Sequence, residues 1–442
     1  MKRQNSFIMT CTIGLLLFSM FFGSGNLIFP PYLGYEAADM TLPALLGFIV
    51  TAVVFPVLGV IAIAKNNDLL SLAGHAGRKF ALVFSIIVFL ALGPGLAIPR
   101  NAAVSFEMAV VPFREEITIG IRIAYSVIFF VVSWLLSVHP EKLVDWLGKI
   151  LAPVLLVLMV VLSIYCIVKI PSVSMEPSSL YAEHAGIQGF LDGYNTMDTL
   201  AALNFGSIIA INVMGKGIMD KNQVVRYTMK SGVIAGILLA LVYAVLAYAG
   251  KTCAGLYEGA ENGASVLTFL VEHVLGRSGV ILLAVIYVLS CLTTCVGLLC
   301  SCAEFFASIT RLSYKAWITL FAIGGCVFSI VGLNGLLKFS VPFLNAIYPA
   351  AMVLVMLGLF SHWLEKHPLV WPSAIFCTGI VSCVHALASC NVVIPGVTKF
   401  LLSFPPAKEL CWLLPCIFGI IIGRLLPQRK CSAGKDDARI PA

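Results

Sequence analysis

Apolar runs long enough to cross a bilayer recur from one end of this chain to the other. A run of about 18 or more apolar residues can span the hydrocarbon core as a helix. In lipid, a spanning segment must also satisfy its own backbone polar groups. Composition agrees: 60% of the 442 residues are hydrophobic and 11% are charged, against about 25% charged in soluble domains. The residue alternation of a transmembrane β-barrel is absent. The chain therefore reads as an all-α polytopic membrane protein. Lys2 and Arg3 precede the first apolar run, but no small-residue cleavage site closes it, so it reads as a retained first span.

Hydropathy predicts about twelve spans: 7–34, 41–64, 80–99, 117–137, 144–168, 186–215, 231–250, 279–307, 315–333, 338–360, 371–391 and 409–426. They form a single membrane domain over 1–426, followed by a polar cytoplasmic tail over 427–442. With the N-terminus inside, the cytoplasmic loops collect Lys65, Arg78, Lys79, Lys142, Lys216, Lys221, Arg226 and Lys230, while the outer loops hold Glu36, Asp39, Glu115, Glu116, Glu176 and Glu183. That asymmetry is the positive-inside pattern, and it places both termini in the cytoplasm. The net charge of +7 is thereby explained by membrane orientation rather than by nucleic acid. The stretch "ASVLTFLVEHVL" (264–275) is too short to span and reads as an amphipathic helix lying on the outer face of the bundle.

Several functions are excluded. The 14 cysteines lie mostly inside spans and show no zinc spacing. There is no H-E-x-x-H and no pair of carboxylates within one span, so a membrane-embedded enzyme is not expected. No nucleotide-binding G-x-x-x-x-G-K-[ST] loop and no repeated filter motif is present, which argues against ATP-driven transport and against a channel.

The first span is interrupted. "FFGSGNLIFPP" (21–31) sets two glycines and an asparagine in the middle of an apolar run. Irregular backbone at membrane depth is tolerated only where it lines a protected cavity. A break there ends one half-helix in free carbonyls, which suit cations, and starts another in free N–H groups, which suit anions. A zwitterion needs both. The alternative is a glycine packing kink. A second interruption, "GYNTMDTLAALNFGS" (193–207), carries Asp198 into the sixth span. Interrupted segments at corresponding positions of two halves point to an inverted-repeat transporter with its site at the midplane.

Four segments carry a resemblance: "FFGSGNLIFPPYLGYEA", "GPGLAIPRNAAVSFE" (93–107), "GYNTMDTLAALNFG" and "LTTCVGLLCSCAEFF" (292–306). They are similar to the signature segments of the bacterial branched-chain amino acid carriers (the BrnQ or LIVCS family), in order and over nearly the whole chain. The resemblance implies symport of leucine, isoleucine and valine with Na⁺ across a bacterial cytoplasmic membrane, with no other cofactor. It implies a leucine-transporter-like fold, with inverted repeats over 7–168 and 186–360, discontinuous helices one and six, and accessory helices at 371–391 and 409–426. By that match the N–H groups of Ser24 and Gly25, beside Gly23, hold the substrate carboxylate. The carbonyls of Ser19, Phe21 and Phe22 face cations and the amine, and Asn26 offers an oxygen to Na⁺.

Ser290, Thr293 and Thr294 share one helical face by their spacing. In the implied fold that face and the first break make a sodium site; the alternative is hydroxyls bonded back to their own helix. An apolar side-chain pocket is expected between spans one, three, six and eight, with Phe22, Leu203 and Phe205 placed to line it and Thr199 beside the second break. Asp198 could bind a cation, orient the unwound segment or cap the second half-helix. Arg100 and Glu107, at the outer end of span three, could form a gate or a surface pair. Glu304 could pair with a basic loop residue, or serve structure. His385 reads as a helix-contact histidine. The rival function is a proton-coupled or uncoupled amino-acid exchanger of the same fold. The apolar middle of span five, where Lys149 lies only near the cytoplasmic end, and the span-eight hydroxyls argue against it; Asp198 argues for it.

Overall fold

The computed structural model describes residues 2–138, 157, 161, 175–401 and 410–426. Among these residues every regular element is a helix. Eight helical runs are long and apolar enough to cross a membrane, joined by three shorter apolar helices. In chain order the principal helices are α1 (Lys2–Phe21), α2 (Ser24–Ala37), α3 (Thr41–Ile49), α4 (Phe55–Asn66), α5 (Arg78–Leu90), α6 (Ala97–Ala109), α7 (Ile119–Val138) and α8 (Ala185–Asp192). They continue as α9 (Asp198–Gly215), α10 (Lys221–Ala254), α11 (Gly263–Ile309), α12 (Tyr314–Ser329), α13 (Leu333–Leu359), α14 (Val370–Ser389) and α15 (Leu413–Leu425). The predicted fifth span with Lys149, apart from positions 157 and 161, and the tail from 427 lie outside the described residues.

The first predicted span is two helices, α1 and α2, as its glycines require. Pro30 and Pro31 lie inside α2. Proline has no N–H to offer the preceding turn, so the Leu27 carbonyl takes the Tyr287 hydroxyl of α11 instead, at 3.3 Å. α2 lies deep in the bundle against α10. A Cβ on Gly34 would meet the Ala247 carbonyl, and one on Gly250 would meet the Pro31 carbonyl. Each glycine thus lets the other helix's backbone come close, as small residues do in membrane interfaces.

Two spans are distorted in ways the hydropathy reading did not contain. Between α3 and α4 the chain makes a π turn, Val50–Val54, where the Phe55 N–H bonds to Val50. Pro56 follows, so the Thr51 carbonyl receives no backbone donor; the Thr199 hydroxyl supplies one at 3.2 Å. Between α5 and α6 a second π turn, Ala91–Gly95, contains Pro94, and Gly93 there has non-helical φ and ψ. The third predicted span therefore does not end at residue 99. It bends at 91–96 and continues to Ala109, because Arg100, Asn101 and Ser105, polar enough to have closed the predicted span, are buried in the bundle.

The segment 264–275 is helical, as expected, and starts at an Asn262 cap that accepts from the Ala264 and Ser265 N–H groups at 2.9 and 3.2 Å. Gly276, with φ of 64°, separates it from the rest of α11. Its apolar face, Val266, Leu267, Leu270 and Val271, is fully buried.

Candidate functional site

The two interruptions meet. In the first, Phe22 closes α1 by donating its N–H to the Phe18 carbonyl at 2.9 Å, and Gly23 runs extended into α2. In the second, a 3-10 turn, Gly193–Thr196, ends at Met197, whose φ of 64° is left-handed. A non-glycine residue pays about 1 kcal/mol or more for that conformation. α9 then starts at Asp198. The Thr196 hydroxyl holds the corner: it donates to the Gly193 carbonyl at 2.9 Å and accepts from the Asp198 N–H at 3.4 Å.

Asn26 joins the breaks. Its Oδ1 accepts from the Gly23 N–H at 3.0 Å, closing the first turn of α2. Its Nδ2 donates to Asp198 Oδ2 at 2.5 Å and to the Tyr243 hydroxyl, and that hydroxyl donates to the same carboxylate oxygen at 3.2 Å. All three side chains are buried, at 1%, 3% and 0% exposed for Asn26, Asp198 and Tyr243. Its oxygen, expected to face a cation, accepts the Gly23 N–H, and its amide faces an acid.

Between the breaks lies a cavity of about 30 Å³, room for about one water. Phe21, Gly23, Ser24, Gly25, Asn26, Asp198 and Phe205 line it, and so do Arg100 and Thr294. Thr199 and Leu203 do not. On α9 the lining positions are 198, 201 and 205, one helical face; 199 and 203 fall off that face. Thr199 instead donates to the Thr51 carbonyl, and its N–H bonds to the Tyr348 hydroxyl at 3.2 Å. The Phe22 ring turns away to stack on Phe18, with centroids 5.1 Å apart. The residues that sequence reasoning missed, among them Leu92, Ala97, Asn101, Ala201 and Leu298, come mostly from the bend in the third span and the phase of α9. The motif "GPG" at 93–95 was the available signal for the first.

Arg100 is not at an outer end. It is 4% exposed and reaches from α6 to the second break, donating from Nη1 to the Asn195 carbonyl and from Nη2 to the Thr196 carbonyl at 3.3 Å. It lies 5.4 Å over the Phe29 ring. It makes no pair with Glu107, which is half-buried two turns further along α6. Glu304 is exposed on α11, away from the cavity, and has no ion pair among the described residues. His385 is half-buried on α14, also apart from the cavity.

α11 brings its hydroxyls to the first break. Ser290 Oγ lies 3.5 Å from the Phe22 carbonyl. Thr294 packs on Gly23, where a Cβ would stand 3.2 Å from its Oγ1. Thr293 donates back to the Leu289 carbonyl at 2.8 Å, the self-bonded alternative to a sodium ligand, and Ser19 to the Leu16 carbonyl at 2.8 Å. A hydroxyl that parks its hydrogen on its own helix keeps its lone pairs free to face a cation.

The model of the branched-chain amino acid transport protein family matches residues 6–430. The chain is 39% identical over 426 residues to the branched-chain amino acid transport system 2 carrier protein of Pseudomonas aeruginosa, covering 95% of this chain and 97% of that one. It is 36% identical to the branched-chain amino acid permease BrnQ of Salmonella typhimurium, covering 93% of each, and 34% identical to the permease BraB of Bacillus subtilis, covering 94% and 95%. Among solved structures, Mhp1, a nucleobase-cation-symport-1 family transporter, matches with a TM-score of 0.60 at 12% identity, over 94% of this chain and 91% of that one. MhsT in complex with L-phenylalanine matches with a TM-score of 0.52 at 17% identity, over 93% and 97%. At these identities the likeness to solved structures concerns the fold, which is the leucine-transporter-like arrangement with discontinuous first and sixth helices.

Proposed function

The chain belongs to the branched-chain amino acid transport protein family, and from that membership we propose that it carries leucine, isoleucine and valine into the cell by Na⁺-coupled symport across a bacterial cytoplasmic membrane. The observation that carries the reading is the meeting of the two helix breaks at one buried cavity. The N–H groups of Ser24 and Gly25 begin α2 without intrahelical partners and suit a carboxylate. The carbonyls that end α1, with Asp198, suit an ammonium. Ala97, Ala201, Phe205 and Leu298 offer the aliphatic side chain apolar surface. Such a wall separates leucine, isoleucine and valine by only ~1–3 kcal/mol, so all three are substrates.

Na⁺ takes the oxygens between α1 and α11: the Ser19 and Phe22 carbonyls and the hydroxyls of Ser290, Thr293 and Thr294. The 3.5 Å between Ser290 Oγ and the Phe22 carbonyl is long for a hydrogen bond but normal for neighbouring ligands of a hard cation held at about 2.4 Å. The cavity as it stands is smaller than a branched side chain, so substrate entry requires the helices around it to part. Joint occupancy by ion and amino acid then favours closure on the entry side and opening on the other.

A second reading is proton coupling, favoured by one observation: the buried Asp198 carboxylate is hydrogen-bonded to neutral groups, Asn26 and Tyr243, where a proton could reside. Radiolabelled leucine uptake into proteoliposomes separates the two. We expect accumulation with an inward Na⁺ gradient, none with choline, and loss of the Na⁺ response in Thr293→Ala/Thr294→Ala. Equal uptake in choline that follows a pH gradient instead would transfer the coupling to Asp198.

A further inference from the structure

Arg100 is a buried cation whose partners do not match its charge. A buried guanidinium is ordinarily paired with an acid. This one contacts two neutral carbonyls, Asn195 and Thr196, and its Nε has no hydrogen-bond partner among the described residues. It lines the cavity beside the start of α2: a Cβ on Gly25 would stand 2.8 Å from Nη2 and 3.2 Å from the Thr196 Cα. Glycine at 25 is what lets the guanidinium and the first N–H groups of α2 border the same space. The Phe29 ring fixes the other side of the guanidinium, and a cation over an aromatic face is held without being neutralised. Asp198 lines the same cavity. The site therefore sets a guanidinium and a carboxyl group on one cavity, the complement of an α-amino acid zwitterion.

We propose that Arg100 is a direct ligand of the substrate's carboxylate, exchanging its hold on the Asn195 and Thr196 carbonyls for that anion. The inference deepens the reading of the cavity as an amino-acid site and rests on it. A guanidinium fork meets a carboxylate in two parallel charge-assisted hydrogen bonds, about twice as strong as bonds to neutral oxygens, and this gain offsets the donor that the two carbonyls lose. It also frees two carbonyls at the break of the sixth span, which gives the arriving substrate a direct mechanical connection between α6 and that break. No acid lies at hydrogen-bond distance from the guanidinium among the described residues: its own turn of α6 carries none, and Asp198, across the same cavity, bonds through Oδ2 to Asn26 and Tyr243.

The test compares binding of leucine and of leucinamide, which keeps the side chain and the amine but has no carboxylate. Both are measured on the purified full-length protein in Na⁺, for the parent, Arg100→Gln and Arg100→Lys. The parent should prefer leucine by at least roughly 10- to 100-fold, the range of a hydrogen-bonded charge. Arg100→Gln should lose that preference through weaker leucine binding, with leucinamide unchanged. Arg100→Lys, which keeps the charge and loses the fork, should fall between. Leucine affinity within about threefold of the parent in both variants overturns the proposal. So does an equal fall for both ligands, the mark of a residue that only ties α6 to the break. If Arg100→Gln is not recovered folded, Arg100→Lys decides by the same comparison. A folded parent that binds no leucine at all counts against the amino-acid reading itself, before Arg100 is changed.

Discussion

Asp198 and Thr199 are neighbours in the chain and opposite in role. Asp198 faces the cavity, and Thr199 spends its hydroxyl on a carbonyl orphaned by the π turn before Pro56. Replacing Thr199 by valine removes a donor without changing shape, and leaves the Thr51 carbonyl buried and unsatisfied. We expect a stability loss of about 1–3 kcal/mol by thermal unfolding in detergent, with leucine affinity within about twofold of the parent; a large affinity loss at unchanged stability would return Thr199 to the site. At this scale the sequence made the ionisable residues legible, because a charge in an apolar run demands a reason. It left the phase of α9 illegible. Where that helix begins depends on the left-handed corner at Met197, and a start shifted by one residue turns every side chain by 100°. That shift separates the face of 198, 201 and 205 from Thr199 and Leu203.

Helix breaks are readable when a sequence announces them with glycine, asparagine and proline, and the interruptions of the first and sixth spans were. The bend of the third span was announced by Gly93-Pro94-Gly95 and went unread, because hydropathy alone ended the span at 99. Asn101 and Ser105 stay in the buried α6 by bonding back to carbonyls of its preceding turn, Nδ2 to Ala97 at 3.0 Å and Oγ to Ala102 at 2.9 Å, while Asn101 Oδ1 has no partner among the described residues. Helix-to-helix distance is a further property that hydropathy does not contain, and α2 shows its consequence. α2 presents Asn26 to Asp198, and its backbone rests on α10 through Gly34 and Gly250. A methyl at 250 would run into the Pro31 carbonyl and push the two helices apart. Gly250→Ala should therefore cost about 1–3 kcal/mol and weaken leucine binding as well, because the Asn26–Asp198–Tyr243 bridge spans the same interface. Gly379→Ala in α14 is the control: a Cβ there meets nothing within 4 Å, so stability should change by less than about 1 kcal/mol and binding should not change. If both variants behave alike, the close approach of α2 and α10 does not position the site.

For the whole molecule the proposed Na⁺ symport fixes the energetics to be tested. Leucine crosses as a zwitterion with no net charge, so the charge moved per cycle is that of the ion alone. One Na⁺ moving inward with each leucine carries one elementary charge, and a potential of 100 mV, negative inside, contributes about 2.3 kcal/mol to that movement. At equal Na⁺ on both sides, proteoliposomes polarised to that value should concentrate leucine roughly 50-fold at the limit, since each 1.36 kcal/mol is a factor of ten. Thr293→Ala/Thr294→Ala vesicles should not concentrate it. If Na⁺ drives the cycle, Na⁺ and leucine must tighten each other's binding by one common factor, and the Phe22 carbonyl, at the first break and 3.5 Å from Ser290 Oγ, is where the two would meet. Leucine accumulation that ignores the potential would mean that no net charge accompanies the substrate. The oxygens between α1 and α11 would then serve the packing of the first break, and symport with one uncompensated Na⁺ would not describe the cycle.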